Sequence, residues 1–146
     1  MSGAPALRIV PCATDDAIAR CHPVLAQLRP HVPLEGFVAR VRAMEAEGYR
    51  LVALEADGAV RAVAGYRIQD MLAQGRHLYV DDLVTDEATR SHGHGKALLD
   101  WLAAAARAAG CAELELDSGT FRHRAHAFYF REGMHIVGFH FRTSLA

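Results

Sequence analysis

Cysteine and net charge are both scarce in this sequence, and each scarcity excludes a class of protein. The three cysteines, Cys12, Cys21 and Cys111, form neither a C-x-x-C pair nor an even set at the spacing of a disulfide framework. Lysine and arginine number 16 against 17 acidic residues, so the formal net charge of -1 lacks the basic excess that non-specific nucleic-acid binding requires. We therefore expect reduced thiols and no nucleic-acid partner.

Long apolar runs are also missing. No basic stretch followed by an apolar run opens the chain, and no segment of about 18 residues stays uncharged and apolar. The expectation is a cytoplasmic protein with neither a signal peptide nor a membrane span. Because 51% of its 146 residues are hydrophobic and 23% are charged, the chain can form one compact core, and a single domain over residues 1–146 is predicted.

The order of predicted elements indicates an α/β protein. Helical spacing with capping residues predicts helices, short apolar runs predict strands, and Asp57-Gly58 predicts a tight hairpin turn. In the third strand the apolar phase shifts between Asp81 and Leu83, as it does at a β-bulge. The predicted strands cover residues 7–10, 49–56, 59–68, 77–85, 113–117 and 134–141, and the predicted helices cover residues 15–29, 34–47, 97–109 and 122–132.

The segment from Arg90 to Lys96 has the composition of an anion-binding loop. It lies between a predicted strand and a predicted helix, where unpaired backbone N–H groups and the helix dipole favour an anion, and it holds the only lysine of the chain. A dinucleotide fingerprint would need glycine at position 98, and a P-loop would need glycine at 90 and a hydroxyl residue at 97. The sequence has Leu98, Arg90 and Ala97 there, so both motifs are excluded and the pattern that remains is R-x-x-G-x-G.

This pattern resembles the acetyl-CoA pyrophosphate loop, Q/R-x-x-G-x-G/A, of the GCN5-related N-acetyltransferase (GNAT) family. An acidic pair with aliphatic residues precedes the loop at Asp81-Asp82-Leu83-Val84, and an Ala-x-x-Phe-Tyr helix followed by glycine spans residues 125–133. The resemblance covers residues 78–141. It implies the acyl-CoA N-acyltransferase fold of that family, an α/β fold with a mixed, mostly antiparallel sheet and helices on both faces.

The resemblance also implies an acetyl-CoA-dependent N-acetyltransferase that moves the acetyl group directly to a primary amine, without a covalent acyl-enzyme. Acetyl-CoA is the implied co-substrate, with its pantetheine beside the strand before the loop and its pyrophosphate on the backbone amides of the loop. A bulge in that strand would expose N–H groups that can polarise the thioester carbonyl. The implied cofactor-binding residues are Leu83, Val84, Thr85, Arg90, Ser91, His92, Gly93, His94, Gly95 and Lys96.

An amine arrives mostly as an ammonium ion, so catalysis needs a group that accepts its proton. Asp82 is the first candidate and Asp81 the second, and because neighbouring strand residues point to opposite faces, only one of them can face the acceptor directly. By resemblance, Tyr129 donates a proton to the departing thiolate. Each acid could instead be structural or solvated, and Tyr129 could be an aromatic side chain packed under the last strand. His126 is a second candidate for relaying a proton.

The acceptor stays open between a small-molecule amine and an amine of a protein or peptide. A cleft lined with carboxylates would attract a cation such as a primary amine or a polyamine, although solvated strand ends would give the same pattern. The acidic residues that crowd around the central strand are Asp70, Asp81, Asp82, Asp86 and Glu87. The apolar segment 136–141 could pair with a second copy, which would give a homodimer.

Two rival functions belong to other classes. One is a non-catalytic acyl-CoA-binding sensor or interaction module that has kept the cofactor site and lost turnover. The other is a metal-binding regulatory domain, suggested by His92-x-His94 and His123-x-x-His126 among the nine histidines. His92 and His94 lie within the loop, no cysteine pair accompanies them and no H-E-x-x-H motif is present, so we predict no metal.

Overall fold

The computed structural model describes residues 6–146, which form two compact units. The first unit ends at Glu115, and the second comprises Leu116–Ala146. The elements assigned to the first unit are β1 (Leu7–Pro11), α1 (Asp15–Leu28), α2 (Phe37–Glu45), β2 (Arg50–Ala56), β3 (Ala59–Met71), β4 (Gly75–Thr85), a 3-10 turn (Glu87–Thr89), α3 (His94–Ala108) and β5 (Glu113–Leu116), whose last residue already belongs to the second unit. The second unit contains α4 (His123–Arg131). None of the helices within residues 6–146 combines the length and the apolar character needed to cross a membrane.

The five strands form one mixed sheet in the order β1-β2-β3-β4-β5. The first three neighbouring pairs are antiparallel, and α3 connects β4 to β5. Chain order and sheet order coincide, so each strand pairs with the strand that precedes it in the sequence.

Local sequence signals explain where several elements begin and end. Thr14 caps α1, because its side chain accepts a hydrogen bond of 3.1 Å from the backbone N–H of Ala17. Asp57 and Gly58 both have positive φ, 52° and 80°, as the tight hairpin between β2 and β3 requires. The hairpin predicted at Asp57-Gly58 is confirmed.

Side chains are buried on both faces of the sheet, and helices cover each face. On one face, Leu51 and Val63 pack in a cluster with side chains of α1 and α2. Alternate residues such as Val52, which is fully buried, point to the opposite face. On that face Tyr66 contacts Trp101 of α3, with ring centroids 6.1 Å apart. The predicted α/β fold, a mixed and mostly antiparallel sheet between helices, is confirmed.

One extra residue in β4 changes which of its side chains face each helical layer. Gly65 and Tyr66 are consecutive in β3, but their partners in β4 are Asp82 and Val80, so Asp81 is the bulged residue. Before the bulge Val80 points toward α3, as its partner Tyr66 does. After the bulge Asp82 points toward α1 and α2 with its partner Gly65. The bulge predicted from the phase shift is therefore confirmed, with the extra residue at Asp81.

Because Gly65 has no side chain, the ring of Tyr49 can lie directly against its backbone. A Cβ atom at residue 65 would overlap the hydroxyl group and ring carbons of Tyr49. The tyrosine is only 2% exposed, and the guanidinium of Arg67 lies 5.5 Å from its ring centroid. The missing side chain at residue 65 thus allows a buried tyrosine to pack directly against β3 at the bulge.

All three cysteines are free thiols in the structure. Cys12 and Cys21 are buried in the first unit with their Sγ atoms 3.5 Å apart, and Cys111 is half-buried.

The second unit ends in a segment without regular secondary structure, residues 134–146, called here the C-terminal segment. The prediction of a last strand over residues 134–141 is wrong. A strand exists only where it shares ladder hydrogen bonds with a neighbour, and this segment forms no ladder with any part of residues 6–146. Its apolar side chains are exposed, including Val137 at 81% and Phe139 at 84%.

Substitution of Gly65 tests the close packing at the bulge. We expect Gly65→Ala to lower the free energy of unfolding by about 1–3 kcal/mol, the usual cost of forcing extra volume into a packed core. Gly138→Ala is the control, because no atom lies within 4 Å of the Cβ it would add. The free energy of unfolding of that variant, measured by urea denaturation, should stay within about 0.5 kcal/mol of the parent value. Equal stabilities of the two variants would contradict the packing described here.

Candidate active site

A cavity of about 140 Å³ lies beside β4 in the first unit. Its wall includes Asp82 just after the bulge, Tyr49 just before β2 and Arg29 at the end of α1. Of the two candidate acids only Asp82 lines the cavity. The bulge is the cause, because it turns Asp82 toward the layer of α1 and α2 that forms the rest of the wall.

Both carboxylate oxygens of Asp82 accept hydrogen bonds. Arg29 Nε donates to Oδ1 at 2.9 Å, and the hydroxyl of Tyr49 donates to Oδ2 at 2.8 Å. Burial, together with the negative charge of Asp82, raises the pKa of Tyr49, so the phenol keeps the proton that it donates. A carboxylate has about four acceptor positions, so Asp82 is held in a fixed orientation with lone pairs still available at the cavity.

Asp81 has a different environment. Arg67 Nε donates to Asp81 Oδ2 at 2.9 Å, while Oδ1 is buried and has no hydrogen-bond partner among residues 6–146. Burial raises the pKa of Asp81, and the nearby Arg67 opposes that effect. The unpartnered oxygen of Asp81 is closed off from solvent, so a ligand has no direct access to it in this conformation.

Asp86 at the end of β4 is also paired with an arginine. Arg61 Nη1 lies 3.3 Å from Asp86 Oδ2, and a hydrogen bond from Gln27 is the main cause of the lowered pKa of Asp86. Asp81, Asp82 and Asp86 are thus each paired with an arginine. They are three of the five acidic residues from which the sequence predicted a cleft that attracts cations. The structure thereby removes most of the surplus negative charge on which that expectation rested.

The predicted anion-binding loop leads directly into α3. Gly93 is the N-cap with a φ of 81°, and Ser91 also has a positive φ, 70°. The backbone N–H groups of Gly93, His94 and Gly95 donate no hydrogen bond within the described part of the chain, as expected for a first helical turn. These parallel donors, together with the helix dipole, can bind an anion.

The helix after the loop begins earlier than predicted. α3 starts at His94, whereas the apolar spacing predicted a start at Ala97. The polar residues of the first turn carry no apolar periodicity, so the pattern could not mark them as helical. The backbone amides of Gly95 and Lys96 therefore belong to the helix and not to a loop, which fixes their direction.

The side chains of this segment differ in their exposure. His94 is 5% exposed, and burial lowers its pKa, with a smaller contribution from His92, so its imidazole is neutral at pH 7. Arg90 and Lys96 are 47% and 58% exposed, and each lies within ion-pair distance of an acid one turn away. Such exposed pairs are weak, so both cations can turn to a bound phosphate.

The strand end before the loop, Leu83 to Thr85, is half-buried and lies beyond the reach of β5. Ala112, the residue before β5, donates its N–H to the carbonyl of Arg76 at 3.2 Å. β5 has four residues, and at about 3.3 Å per residue it cannot extend from Arg76 to Leu83. This part of β4 therefore has backbone groups that no strand among residues 6–146 pairs on that side.

The second unit carries Tyr129 and His126 on α4. Burial raises the pKa of the Tyr129 phenol, so the group is protonated at neutral pH. Its ring packs against Phe128, with centroids 5.4 Å apart. The Nε2 atom of His126 lies 2.8 Å from the carbonyl oxygen of Gly119, which fixes the imidazole to the segment before α4.

The two histidine pairs considered as metal ligands are stacked edge to face. The rings of His92 and His94 have centroids 5.7 Å apart, and those of His123 and His126 are 6.3 Å apart. No group of three or more His, Cys, Asp or Glu side chains is arranged to hold a metal ion in the region that the structure describes.

The two residues that hold Asp82 could not be identified from the sequence. Arg29 was expected only as a helix end and Tyr49 only as a strand start, and neither belongs to a motif. Arg29 lies 53 residues away from Asp82 in the chain, so the fold alone brings them together.

Comparison with known proteins identifies the family. The family model described as the acetyltransferase (GNAT) family matches residues 15–134. The chain belongs to the GNAT family. It is an acyltransferase of the kind that transfers an acetyl group to an amine. It is also 38% identical over 112 residues to the uncharacterized N-acetyltransferase YhdJ of Bacillus subtilis, an alignment that covers 76% of this chain and 79% of the relative.

Solved structures show the same fold as this GNAT protein. An acetyltransferase of Trypanosoma brucei superposes with a TM-score of 0.79 at 24% identity, covering 96% of this chain and 100% of that chain. The aminoglycoside N-acetyltransferase AAC(6')-Iy in complex with CoA superposes with a TM-score of 0.80 at 15% identity, covering 98% and 99%. Both likenesses concern the fold, and the second belongs to a protein that binds CoA.

Proposed function

We propose that this GNAT protein binds acetyl-CoA at the segment from Arg90 to Lys96 and acetylates an amine held in the cavity beside β4. The observation that carries the proposal is the bulge at Asp81. It leaves Asp82 at the cavity wall, while the same strand leads, through the turn that follows it, to the unpaired N–H groups at the start of α3. One strand therefore connects a place for the amine with a place for an anionic co-substrate.

The start of α3 fits the pyrophosphate of CoA. The N–H groups of Gly93, His94 and Gly95 are parallel and unused within residues 6–146, and Arg90 and Lys96 add positive charge beside them. The positive φ of Gly93 lets the backbone turn these donors toward one anion. His92 and Ser91 belong to the same proposed turn.

Acetyl-CoA supplies an acetyl group that is activated as a thioester. The residues from Leu83 to Thr85 are suited to lie along its pantetheine, because their backbone has groups without a partner strand on one side. An N–H group aimed at the thioester oxygen stabilises the negative charge that develops there during attack. This is the chemical use we propose for the interrupted pairing after the bulge.

Asp82 is the proposed acceptor of the proton from the amine, directly or through a water molecule. As the bond between nitrogen and the acetyl carbon forms, the carbon–sulfur bond breaks and the nitrogen gives up a proton. Arg29 and Tyr49 hold the carboxylate in the orientation that this transfer needs. Tyr129 is the proposed donor of a proton to the departing thiolate, supported by its raised pKa.

We also propose that the two units act together as one catalytic domain in the cytoplasm. The match of the family model runs from residue 15 to residue 134 and thus includes parts of both units. The three free cysteines support a reducing compartment.

Gly93→Val tests the proposed CoA site. A β-branched residue is strained at the positive φ of Gly93 and would crowd the phosphate, so we expect acetyl-CoA binding to weaken by about tenfold or more. Gly110→Val is the matched control, because Gly110 has a φ of 78°, equally open surroundings and a place at the opposite end of α3. Calorimetric titration measures both affinities, and equal affinities in the two variants would exclude the assignment.

Tyr129→Phe tests the proposed proton donor. We expect kcat to fall by about a hundredfold, the usual value of a positioned acid, with little change in acetyl-CoA affinity. Because the pKa of Tyr129 is raised above the ordinary 10.0, kcat of the parent enzyme should fall only above pH 10.0, where the phenol loses its proton. Tyr66→Phe, a tyrosine on the α3 face, should leave the pH profile unchanged. Undiminished turnover of Tyr129→Phe would leave Tyr129 with a packing role.

We propose further that the C-terminal segment pairs with a second copy of the chain. Val137, Phe139 and Phe141 alternate along it and are more than 80% exposed, with values of 81%, 84% and 91%. A segment with alternating exposed apolar residues can form a strand when a second chain offers backbone groups to pair with. In a symmetric dimer, two identical segments can supply each other's backbone hydrogen bonds.

Phe139→Asp tests this pairing by light scattering after size-exclusion chromatography. The parent protein should have twice the mass of one 15.9 kDa chain, and Phe139→Asp should have the mass of a single chain. Leu72→Asp, which alters an apolar residue that is fully exposed outside the C-terminal segment, should remain dimeric. A monomeric parent protein at every concentration would contradict the proposal.

A further inference from the structure

The cavity beside β4 has an apolar wall. Its volume of about 140 Å³ is close to the roughly 150 Å³ that accommodates a benzene molecule in an engineered protein cavity. The apolar side chains come from α1, from the connection after it and from α2. They are Leu25, Val32, Phe37, Val41 and Met44. A ligand of this cavity therefore presents a small apolar group of about the size of one ring.

The remaining side chains give the cavity a surplus of positive charge. Asp82 is its one acidic residue, and Arg29 neutralises it at 2.9 Å. Tyr49 is a neutral donor already bonded to Asp82. Arg40 is left as a full positive charge, with His31 as a further basic group on the same wall.

Arg40 differs from most arginines of the first unit. Arg29 and Arg67 each form an ion pair with an aspartate of β4, and Arg61 forms one with Asp86 directly after that strand. The guanidinium of Arg40 forms no ion pair and donates no hydrogen bond within residues 6–146, although it lines the cavity. A guanidinium at a cavity wall without an anionic partner is available for a planar anion, which it can bind through two parallel N–H groups.

We propose that the acceptor is a small amino acid or related amine in which one apolar group and one carboxylate accompany the reacting nitrogen, and that Arg40 binds the carboxylate. This inference rests on the proposed function, because it assigns the substrate class of the same cavity. The apolar group occupies the wall formed by α1 and α2, and the nitrogen lies toward Asp82. A single unpaired guanidinium matches the single charge of a carboxylate.

The charge arrangement makes Arg40 a specificity-determining residue. An amine without a carboxylate brings only a positive charge into a cavity that already has a positive excess, and it leaves Arg40 without a partner. A carboxylate on the amine balances the positive charge of its nitrogen and gives Arg40 an anionic partner. Amines that carry no anionic group, polyamines among them, should therefore be poor substrates.

A binding experiment tests the carboxylate site without any reaction. The probes are 3-phenylpropionate, which has a ring and a carboxylate but no amine, and its neutral amide. NMR titration should show that the acid binds the parent protein in preference to the amide. Arg40→Gln should weaken binding of the acid by about ten- to a hundredfold, the range for a lost hydrogen bond to a charged group. Arg8→Gln removes another exposed arginine, which lies outside the cavity, and this variant should bind the acid as the parent does.

A turnover experiment then tests the substrate class. Phenylalanine and 2-phenylethylamine, which differ by the carboxylate, are compared as acceptors by release of free CoA thiol. We expect a higher kcat/KM for phenylalanine. Arg40→Gln should lower the kcat/KM of phenylalanine through KM and raise that of 2-phenylethylamine, because one positive charge is removed from the cavity. Arg40→Glu should reverse the preference.

The two proposals give distinguishable results when they fail. Equal binding of acid and amide, no binding of either, or unchanged acid binding by Arg40→Gln overturns the carboxylate site. Equal kcat/KM for the two amines in the parent protein also overturns it. If the acid binds through Arg40 but acetyl-CoA does not bind, the carboxylate site is supported and the proposed acetyl transfer is contradicted.

Discussion

The bulge at Asp81 is the feature on which the candidate active site depends. Without the extra residue, β4 would keep one alternation along its whole length, and Asp82 would point toward α3 rather than toward α1 and α2. With the extra residue, Val80 in the first half of the strand is buried on the side of α3. Asp82 in the second half lines the cavity on the side of α1 and α2. Gly65 supports this change opposite the bulge, since only a residue without a side chain leaves room for Tyr49.

Charge pairing along β4 determines what the cavity can attract. Asp81 and Asp82 in the second half of the strand and Asp86 directly after it each have an arginine within 3.3 Å, so neighbouring acids in the sequence become ion pairs in the fold. The cavity is left with the charge of Arg40 rather than with that of Asp82. Composition therefore does not determine the charge of the cavity, because an acid can be counted in a sequence but its partner depends on contacts between distant segments.

The elements that depend on neighbouring residues could be predicted from the sequence. The cap at Thr14, the hairpin at Asp57-Gly58 and the bulge each leave a local pattern in residue type or apolar phase. The start of α3 at His94 was not predicted, because its first turn has no apolar spacing. The expected last strand was wrong, since pairing depends on a neighbour and not on the apolar pattern of the strand itself. Contacts such as Arg29 with Asp82 could not be predicted at all, because 53 residues separate them.

We propose that the two ends of one strand segment serve two substrates: the cavity side binds the amine and the loop side binds CoA. The measurement that separates the two ends is amide NMR of nitrogen-15-labelled protein, titrated first with acetyl-CoA and then with 3-phenylpropionate. We expect acetyl-CoA to change the amide chemical shifts of Gly93, His94 and Gly95 most, followed by those from Leu83 to Thr85. The acid should afterwards change the shifts of Arg40 and its neighbours in α2. Shift changes from acetyl-CoA that are largest in α2, or absent from the start of α3, would exclude this division of the strand.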